Sequence, residues 1–341
     1  MSDGRRKREL ARADRVLPGV WRLRLPMDTA GVPHVNAYAI NAGNGAILVD
    51  CGMNAPGSFA QLERALDQAG MKIEHIKLLV CTHAHSDHYG MAAPVCEAAG
   101  CELWMHPAHQ HATAPATDPE RATRRRIEVA RHSGVPMSEI ERYQEGDRGG
   151  WRGGIAAVRM PDRELREGDE IDSDLGRWKV VETPGHAPSH IVLHQPETRL
   201  LISGDHLLGR PTLFFDYGYT SDPVGEYVTA LERVRVLDVD LVLAGHGRPV
   251  RGYTQLVDAH ATLVGEALDR TRAALADGPV TAFDAAPSIL GFEGRPIPPV
   301  ALSWAMSMAL SYLRRLERTG EAERVEGADD DTAETWRLVQ P

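Results

Sequence analysis

Apolar and polar positions along the chain follow a rhythm that changes several times. Val20-Trp21-Arg22-Leu23-Arg24-Leu25 alternates at every second residue, as an edge strand would. Apolar runs at 35–40 and 46–49 flank Asn41-Ala42-Gly43-Asn44-Gly45, and an Asn-Gly pair between two such runs predicts a hairpin. Residues 56–69 switch to helical spacing at Phe59, Leu62, Leu66 and Ala69, and stop at Gly70 as a C-cap should. A buried strand over Ile76–Cys81, a short helix over Ala92–Ala99 and a strand over Glu102–Met105 come next. Hairpins followed by alternating helices and strands predict layered sheets and helices, an α+β protein.

Between 106 and 154 the rhythm breaks. Helical stretches at 119–132 and 137–145 are punctuated by Pro107, Pro115, Pro119 and Pro136, as in an insertion that serves as a lid or substrate wall. His109 and His111 within it read as solvated. Strands return at 178–182, 189–194 and 199–203. From Tyr253 the chain turns helical, at 256–275 and again at 300–318. Short strands at 322–326 and 335–339 then give a helix-and-hairpin ending that looks like a winged-helix module. The expected organisation is a disordered basic arm at 1–15, a main domain at 16–252 and a C-terminal domain at 253–341.

Composition adds limits. Apolar residues make up 43% and charged residues 25%, ordinary for a globular protein with a large core. No apolar run approaches the roughly 20 residues that span a bilayer. The start, Met-Ser-Asp-Gly-Arg-Arg-Lys-Arg, carries no apolar segment of a secretory signal, and four cysteines without a CxxC pair suit a reduced, cytoplasmic protein. The net charge is −10, and residues 279–341 hold six Arg against ten Asp/Glu, a charge of −4. Nucleic acid is therefore disfavoured as a partner of the tail, and a packing, lid or homodimer role is expected.

The densest chemistry lies in Thr82-His83-Ala84-His85-Ser86-Asp87-His88-Tyr89-Gly90, directly after a buried strand. Three imidazoles and a carboxylate within six residues are ligands that zinc, iron and manganese accept, and a loop leaving a strand end can turn them to one centre. Three later junctions repeat the design, with polar residues at the ends of apolar strands: His186 in Thr-Pro-Gly-His, Asp205 in Ser-Gly-Asp-His and His246 in Gly-His-Gly. Together they predict a common mouth. Asp50 also ends a buried strand, and is either a turn residue or a partner for a ligand imidazole.

These motifs resemble the metallo-β-lactamase-fold hydrolases, the superfamily that includes hydroxyacylglutathione hydrolases and acyl-homoserine lactonases. The likeness covers roughly residues 16–250, and the tail is similar to the winged-helix domain of one branch. The resemblance implies a four-layer αββα sandwich with two metals at one edge of the sheets. It implies that His83, His85 and His186 hold the first metal and Asp87, His88 and His246 the second, with Asp205 bridging. Zinc is the first expectation, with iron and manganese also suited to mixed His and carboxylate ligation. Two cations a few ångströms apart make hydroxide available near neutral pH, so a carbonyl substrate could be hydrolysed with no Ser or Cys nucleophile. Asp205 and Asp87 are the expected catalytic carboxylates, Asp87 as a steerer of protons. An acidic bridge at 205 disfavours β-lactam hydrolysis. The expected substrate is a small thioester, lactone or ester, with Tyr143, Trp151, Phe214, Phe215 and Tyr217 as candidate pocket walls. The alternative is a metal-dependent endoribonuclease or phosphodiesterase acting on single-stranded RNA, with Arg124-Arg125-Arg126 on the phosphates.

Overall fold

Strand residues in this chain point alternately to opposite faces, and that alternation builds the layers. The computed structural model describes residues 10–29, 32–147, 154–292, 297–298, 301–325, 327 and 332–340. The first half runs β1 (Arg12–Leu17), β2 (Val20–Thr29), β3 (Val32–Ala42), β4 (Gly45–Val49), α1 (Ser58–Gln68), β5 (Ile76–Cys81), α2 (Ser86–Tyr89), α3 (Ala92–Ala99) and β6 (Glu102–Met105). The insertion supplies α4 (Gln110–Thr117), α5 (Pro119–His132) and α6 (Met137–Asp147). Then come β7 (Arg163–Glu164), β8 (Glu170–Ser173), β9 (Gly176–Glu182), β10 (Ile191–Gln195), β11 (Leu200–Gly204), α7 (Pro223–Arg235) and β12 (Leu241–Ala244). The ending is α8 (Tyr253–Ala274), α9 (Ala282–Ile289), α10 (Leu302–Arg318), β13 (Ala322–Val325) and β14 (Thr335–Leu338).

Among the described residues the strands form a seven-stranded sheet in sequence order β1 to β7, a five-stranded sheet ordered β12-β11-β10-β9-β8, and the β13–β14 hairpin. Ala37, Ala39, Leu48 and Leu79 face α1 and α3, whereas Tyr38, Ile40, Ile47, Val49 and Val80 face the second sheet. On the second sheet Ile191, Leu193, Leu200, Ile202 and Leu243 meet them, and Val192, Leu201 and Val242 face outward under helices. Three apolar layers between four layers of structure make the expected αββα sandwich.

The sequence and the structure differ at several elements. The edge strand is β1, which begins inside the stretch expected to be a disordered arm; β2 pairs on both sides. Its Arg-Ala-Asp-Arg pattern is charged because one side of the ladder is solvent. Residues 1–9 of that arm lie outside the described residues. The hairpin closes at Ala42 opposite Gly45, so Gly43-Asn44 forms the loop, one residue earlier than the Asn-Gly pair, with Gly43 at φ +59°. Helix α7 escaped the hydrophobic pattern, although Asp222 caps it by accepting from the Gly225 amide and Pro223 follows at the first turn.

The C-terminal helices share an apolar core with the outer face of the second sheet. Val257 and Val264 of α8, Ile289 of α9, Leu313 of α10 and Trp336 of β14 belong to the same cluster as Val192 and Leu201. Trp336 is 1% exposed, and its backbone exchanges both hydrogen bonds with Val280. Arg315 of α10 pairs with Asp222 at the start of α7 at 2.7 Å. No described helix is long and apolar enough to cross a membrane.

Removing the indole in Trp336→Ala should therefore lower the stability of the whole chain by about 3–5 kcal/mol, not of the tail alone. Denaturant unfolding followed by far-UV dichroism and by fluorescence should move together; separate transitions for the two signals would contradict a shared core.

Candidate metal centre

Strands β9 and β11 run the same way, since each is antiparallel to β10, and β12 is parallel to β11. Strands β4 and β5 are likewise parallel. Each strand releases one polar residue just beyond its C-terminal end: Asp50, His83, His186, Asp205 and His246. The junctions meet because β3 grips the loop after β12. Asn36 donates its backbone amide to Gly245 O (2.7 Å) and its side-chain amide to Ala244 O (2.8 Å). Tyr38 donates to Ala244 O (2.7 Å) and Arg22 to Gly247 O (2.9 Å).

His83 and His85 lie on the loop after β5, as expected. Asp87 and His88 instead occupy the single helical turn α2, whose adjacent positions suffice to aim both inward. Ring or carboxylate atoms of His83, His85 and His186 lie within 4.8 Å of one another, and so do those of Asp87, His88 and His246. Asp205 stands between the two triads: Oδ1 is 3.4 Å from His88 Nε2, and Oδ2 is 3.3 Å from His246 Nε2 and 3.9 Å from His186 Nε2. All seven residues expected at the site converge.

The arrangement fits divalent cations on its own chemistry. His83 Nε2, His88 Nε2 and Asp205 Oδ1 are buried without a hydrogen-bond partner, a costly condition unless another ligand satisfies them. The outer nitrogens are occupied, which fixes which lone pair points inward. His88 Nδ1 lies 2.8 Å from Asp50 Oδ2, His246 Nδ1 donates to His34 O (2.9 Å) and His85 Nε2 lies 2.8 Å from Asp216 Oδ2. Asp50 also accepts from the amide (2.7 Å) and hydroxyl (2.9 Å) of Thr82. Of its two readings, the imidazole partner is the one the geometry shows. Its φ of +61° turns the carboxylate toward β5, a conformation Asp tolerates better than most residues.

Close packing sets two glycines. A Cβ at Gly185 (φ +125°) would lie 2.5 Å from Tyr227 Cβ. One at Gly245 would lie 2.2 Å from Asp205 Oδ1 and 2.7 Å from His88 Cε1, inside the cluster.

Electrostatics divide the site. Burial, reinforced by neighbouring imidazoles, holds His83 well below the ordinary histidine range and takes His186 down to about 3. Burial also opposes charge on His88 and His246, but the Asp87 and Asp205 carboxylates outweigh it. His88 is raised well above the usual value and His246 reaches about 10. Burial likewise works against ionising Asp87 and Asp205, yet His88 and His246 hold both carboxyls low. Protonated imidazoles thus supply the positive charge that cations would bring.

Several residues of the surroundings were not anticipated. Asp216 contacts His85, and His111 Nδ1 lies 2.9 Å from the same Asp216 oxygen. His111 and His109 are buried rather than solvated. Ser189 Oγ accepts the Ala84 amide (3.1 Å), and His190 Nε2 accepts the Asp205 amide (3.1 Å) while its Nδ1 lies 2.8 Å from Thr183 Oγ1. His190 follows Pro-Gly-His by four residues, and its place at a strand start was the available signal.

The aromatic candidates separate. Phe214 lies against His85 and His186, with ring centroids 5.5 and 5.7 Å away. Phe215 does not line a pocket: it is fully buried between Tyr227 and Tyr312, since adjacent residues of an extended segment face opposite ways. Tyr217 packs toward the C-terminal helices, where Arg314 and Arg324 are its charged neighbours, and Tyr143 packs against the same core. Trp151 lies outside the described residues.

With this geometry the comparisons agree. A model of the metallo-beta-lactamase superfamily matches residues 30–246. The chain belongs to the metallo-beta-lactamase superfamily. Members of this superfamily typically bind divalent metals. A relative named "Probable metallo-hydrolase YqjP" from Bacillus subtilis is 27% identical over 271 residues, covering 77% of this chain and 82% of that one. A metallo-beta-lactamase family protein from Thermus thermophilus superposes with a TM-score of 0.80 at 22% identity, covering 95% of this chain and 100% of that one. A beta-lactamase domain protein from Burkholderia ambifaria gives 0.76 at 26% identity, covering 96% and 95%. The likeness to these two structures therefore extends through the C-terminal helices, beyond the residues the family model matches.

Two outcomes follow from the geometry. Metal uptake must expel the His246 proton, so apparent zinc affinity should tighten by about tenfold per pH unit per proton between roughly pH 6.5 and 10. Competition titrations at several pH values check this, and a flat profile would contradict it. Gly245→Ala should fold yet retain less metal than the wild type, read by elemental analysis of the purified protein.

Proposed function

We propose that this chain is a dinuclear metal-dependent hydrolase of a small carbonyl substrate, with a thioester as the leading class and lactones or esters as the close alternatives. The observation that carries the reading is the Asp205 carboxylate standing between two triads, with His83 Nε2, His88 Nε2 and Asp205 Oδ1 buried and without hydrogen-bond partners. In it, His83, His85 and His186 would hold one cation and Asp87, His88 and His246 the other, with the Asp205 carboxylate placed between the two triads. Zinc suits this donor set, as do iron and manganese. The chemistry such a pair would supply is polarisation of a carbonyl and hydroxide near neutral pH.

The chain's own residues do the remainder. Asp87 Oδ2, 3.2 Å from His246 Nε2, faces the cluster and is placed to carry a proton from attacking water to the leaving group. Phe214 covers the first triad with an apolar ring, a wall against which an acyl chain could lie. Tyr219, 40% exposed, stands beside His111 with Arg125 over its ring (5.0 Å), giving that side a polar rim.

Two relatives support the thioester class. "Hydroxyacylglutathione hydrolase GloC" from Haemophilus influenzae is 26% identical over 179 residues, 51% of this chain and 69% of that one. "Thioesterase pkgB" from Emericella nidulans is 23% identical over 223 residues, and the match spans 48% of its length. The C-terminal helices and the β13–β14 hairpin support a winged-helix-like reading, with a packing role over the site in place of a nucleic-acid one.

Asp205→Ala should lower kcat/KM for acyl thioesters by at least about 10²-fold while chelation abolishes turnover in the wild type and added zinc restores it. A panel of thioesters, lactones, esters and 5′-labelled RNA makes the test. Undiminished rates in Asp205→Ala, or cleavage of RNA alone, would overturn the proposal.

A further inference from the structure

One hydroxyl of helix α10 reaches the segment that carries Asp216. Ser307 Oγ donates to Phe215 O (2.7 Å) and accepts from the Tyr217 amide (3.0 Å), so it spans the two residues on either side of Asp216. Asp216 itself donates its backbone amide to His186 O (3.3 Å) and holds His85 Nε2 through Oδ2 (2.8 Å). His85 Nδ1 then faces His186 Nε2 at 3.0 Å, inside the first triad. A neutral imidazole has one donor and one acceptor, so a carboxylate receiving the Nε2 proton commits the Nδ1 lone pair inward.

The insertion closes the other side. His111 of α4 lies 2.7 Å from Ser189 Oγ through Nε2 and 2.9 Å from Asp216 through Nδ1. Ser189 Oγ also takes the amide of Ala84, the residue between His83 and His85. His85, His111 and Asp216 are close enough to suggest an ion of their own. The 2.8 Å contact of His85 Nε2 with Asp216 is a hydrogen bond, however, and an ion there would strip a second proton from His85, while His111 Nδ1 stands 2.9 Å from the same oxygen without hydrogen-bond geometry. The carboxylate is thus held by a hydrogen bond to His85 on one side and flanked by the His111 ring on the other.

We propose that Asp216 is a positioning residue for the first triad, held in place by Ser307 of α10 and His111 of α4, and that the C-terminal segment thereby sets how tightly the first cation is bound. The inference rests on the reading that the cluster holds two cations, and its test uses metal binding in place of turnover. Metal-free wild type, Asp216→Ala, Asp216→Asn and Ser307→Ala are titrated with zinc(II) against a chromophoric chelator and with cobalt(II) by visible absorption. Asp216→Ala should weaken one of the two sites by about 10–100-fold and leave the other unchanged. Asp216→Asn should recover part of that loss. Ser307→Ala should weaken the same site by less, and Ser307→Ala added to Asp216→Ala should cost nothing more, because the hydroxyl acts through the carboxylate. Dichroism of the metal-free proteins reports folding; were Asp216→Ala to unfold, Ser307→Ala decides alone, and an unaltered first site in it overturns the proposal. Wild-type affinity at both sites in folded Asp216→Ala, or fully additive losses in the double variant, likewise overturns it. A wild type that takes up no metal defeats the two-cation reading as well.

Discussion

Negative charge taken out of water is the constraint this structure is organised around. Asp50, Asp87, Asp205 and Asp216 converge behind the strand ends, with Asp50 only 1% exposed. Carboxylates in such surroundings persist only beside compensating positive charge and hydrogen-bond donors. Asp50 finds them in the His88 imidazole and the Thr82 amide and hydroxyl, and Asp216 in the His85 imidazole. Asp87 and Asp205 repel each other and find theirs in His88 and His246, whose pKa values they raise in turn. A divalent cation pair answers the same demand with more charge in less space. The preference for metal is thus built into the desolvated carboxylates as much as into the imidazoles.

Rigid support makes that convergence hold. The sheets are bolted where Asn36 and Tyr38 bind the Ala244–Gly245 carbonyls. The loop after Asp205 is tied by Tyr227, which donates to His206 O, and by His260 of α8, whose Nε2 is 3.1 Å from the Leu208 amide. Helices that cover the outer face of the second sheet therefore also anchor the loops that carry the chemistry. The large residues between sheets, Trp178 and Tyr38 among them, set the spacing of those anchors.

Much of this was legible in the sequence because strand ends announce themselves. An apolar run followed by Gly, Asp or His is visible, and the metal motif, Asp50, Asp205 and His246 all stand at such ends. Residues that act from irregular segments gave no such sign. Asp216 lies among Thr-Leu-Phe-Phe and Tyr, so the stretch read as an aromatic wall and the carboxylate went unremarked. His111 has the pattern of a solvated helix residue; only the tertiary packing of α4 on Ser189 buries it. The alternation that exposes Phe214 to the imidazoles and hides Phe215 was readable in principle, but only once the local backbone was known to be extended. β1 was hidden by its charges, which solvent on one side of an edge strand permits.

The grip of β3 on the loop after β12 also has a bearing on the order of events during folding. His246 belongs to the second sheet, yet its ring is oriented by the carbonyl of His34 on the first. Neither half of the polypeptide can assemble this pocket by itself. Cation capture must come after the sheets have docked, so the ion would act as a latch on a completed assembly and not as a nucleus for it. Loss of the ion would then leave the sandwich standing.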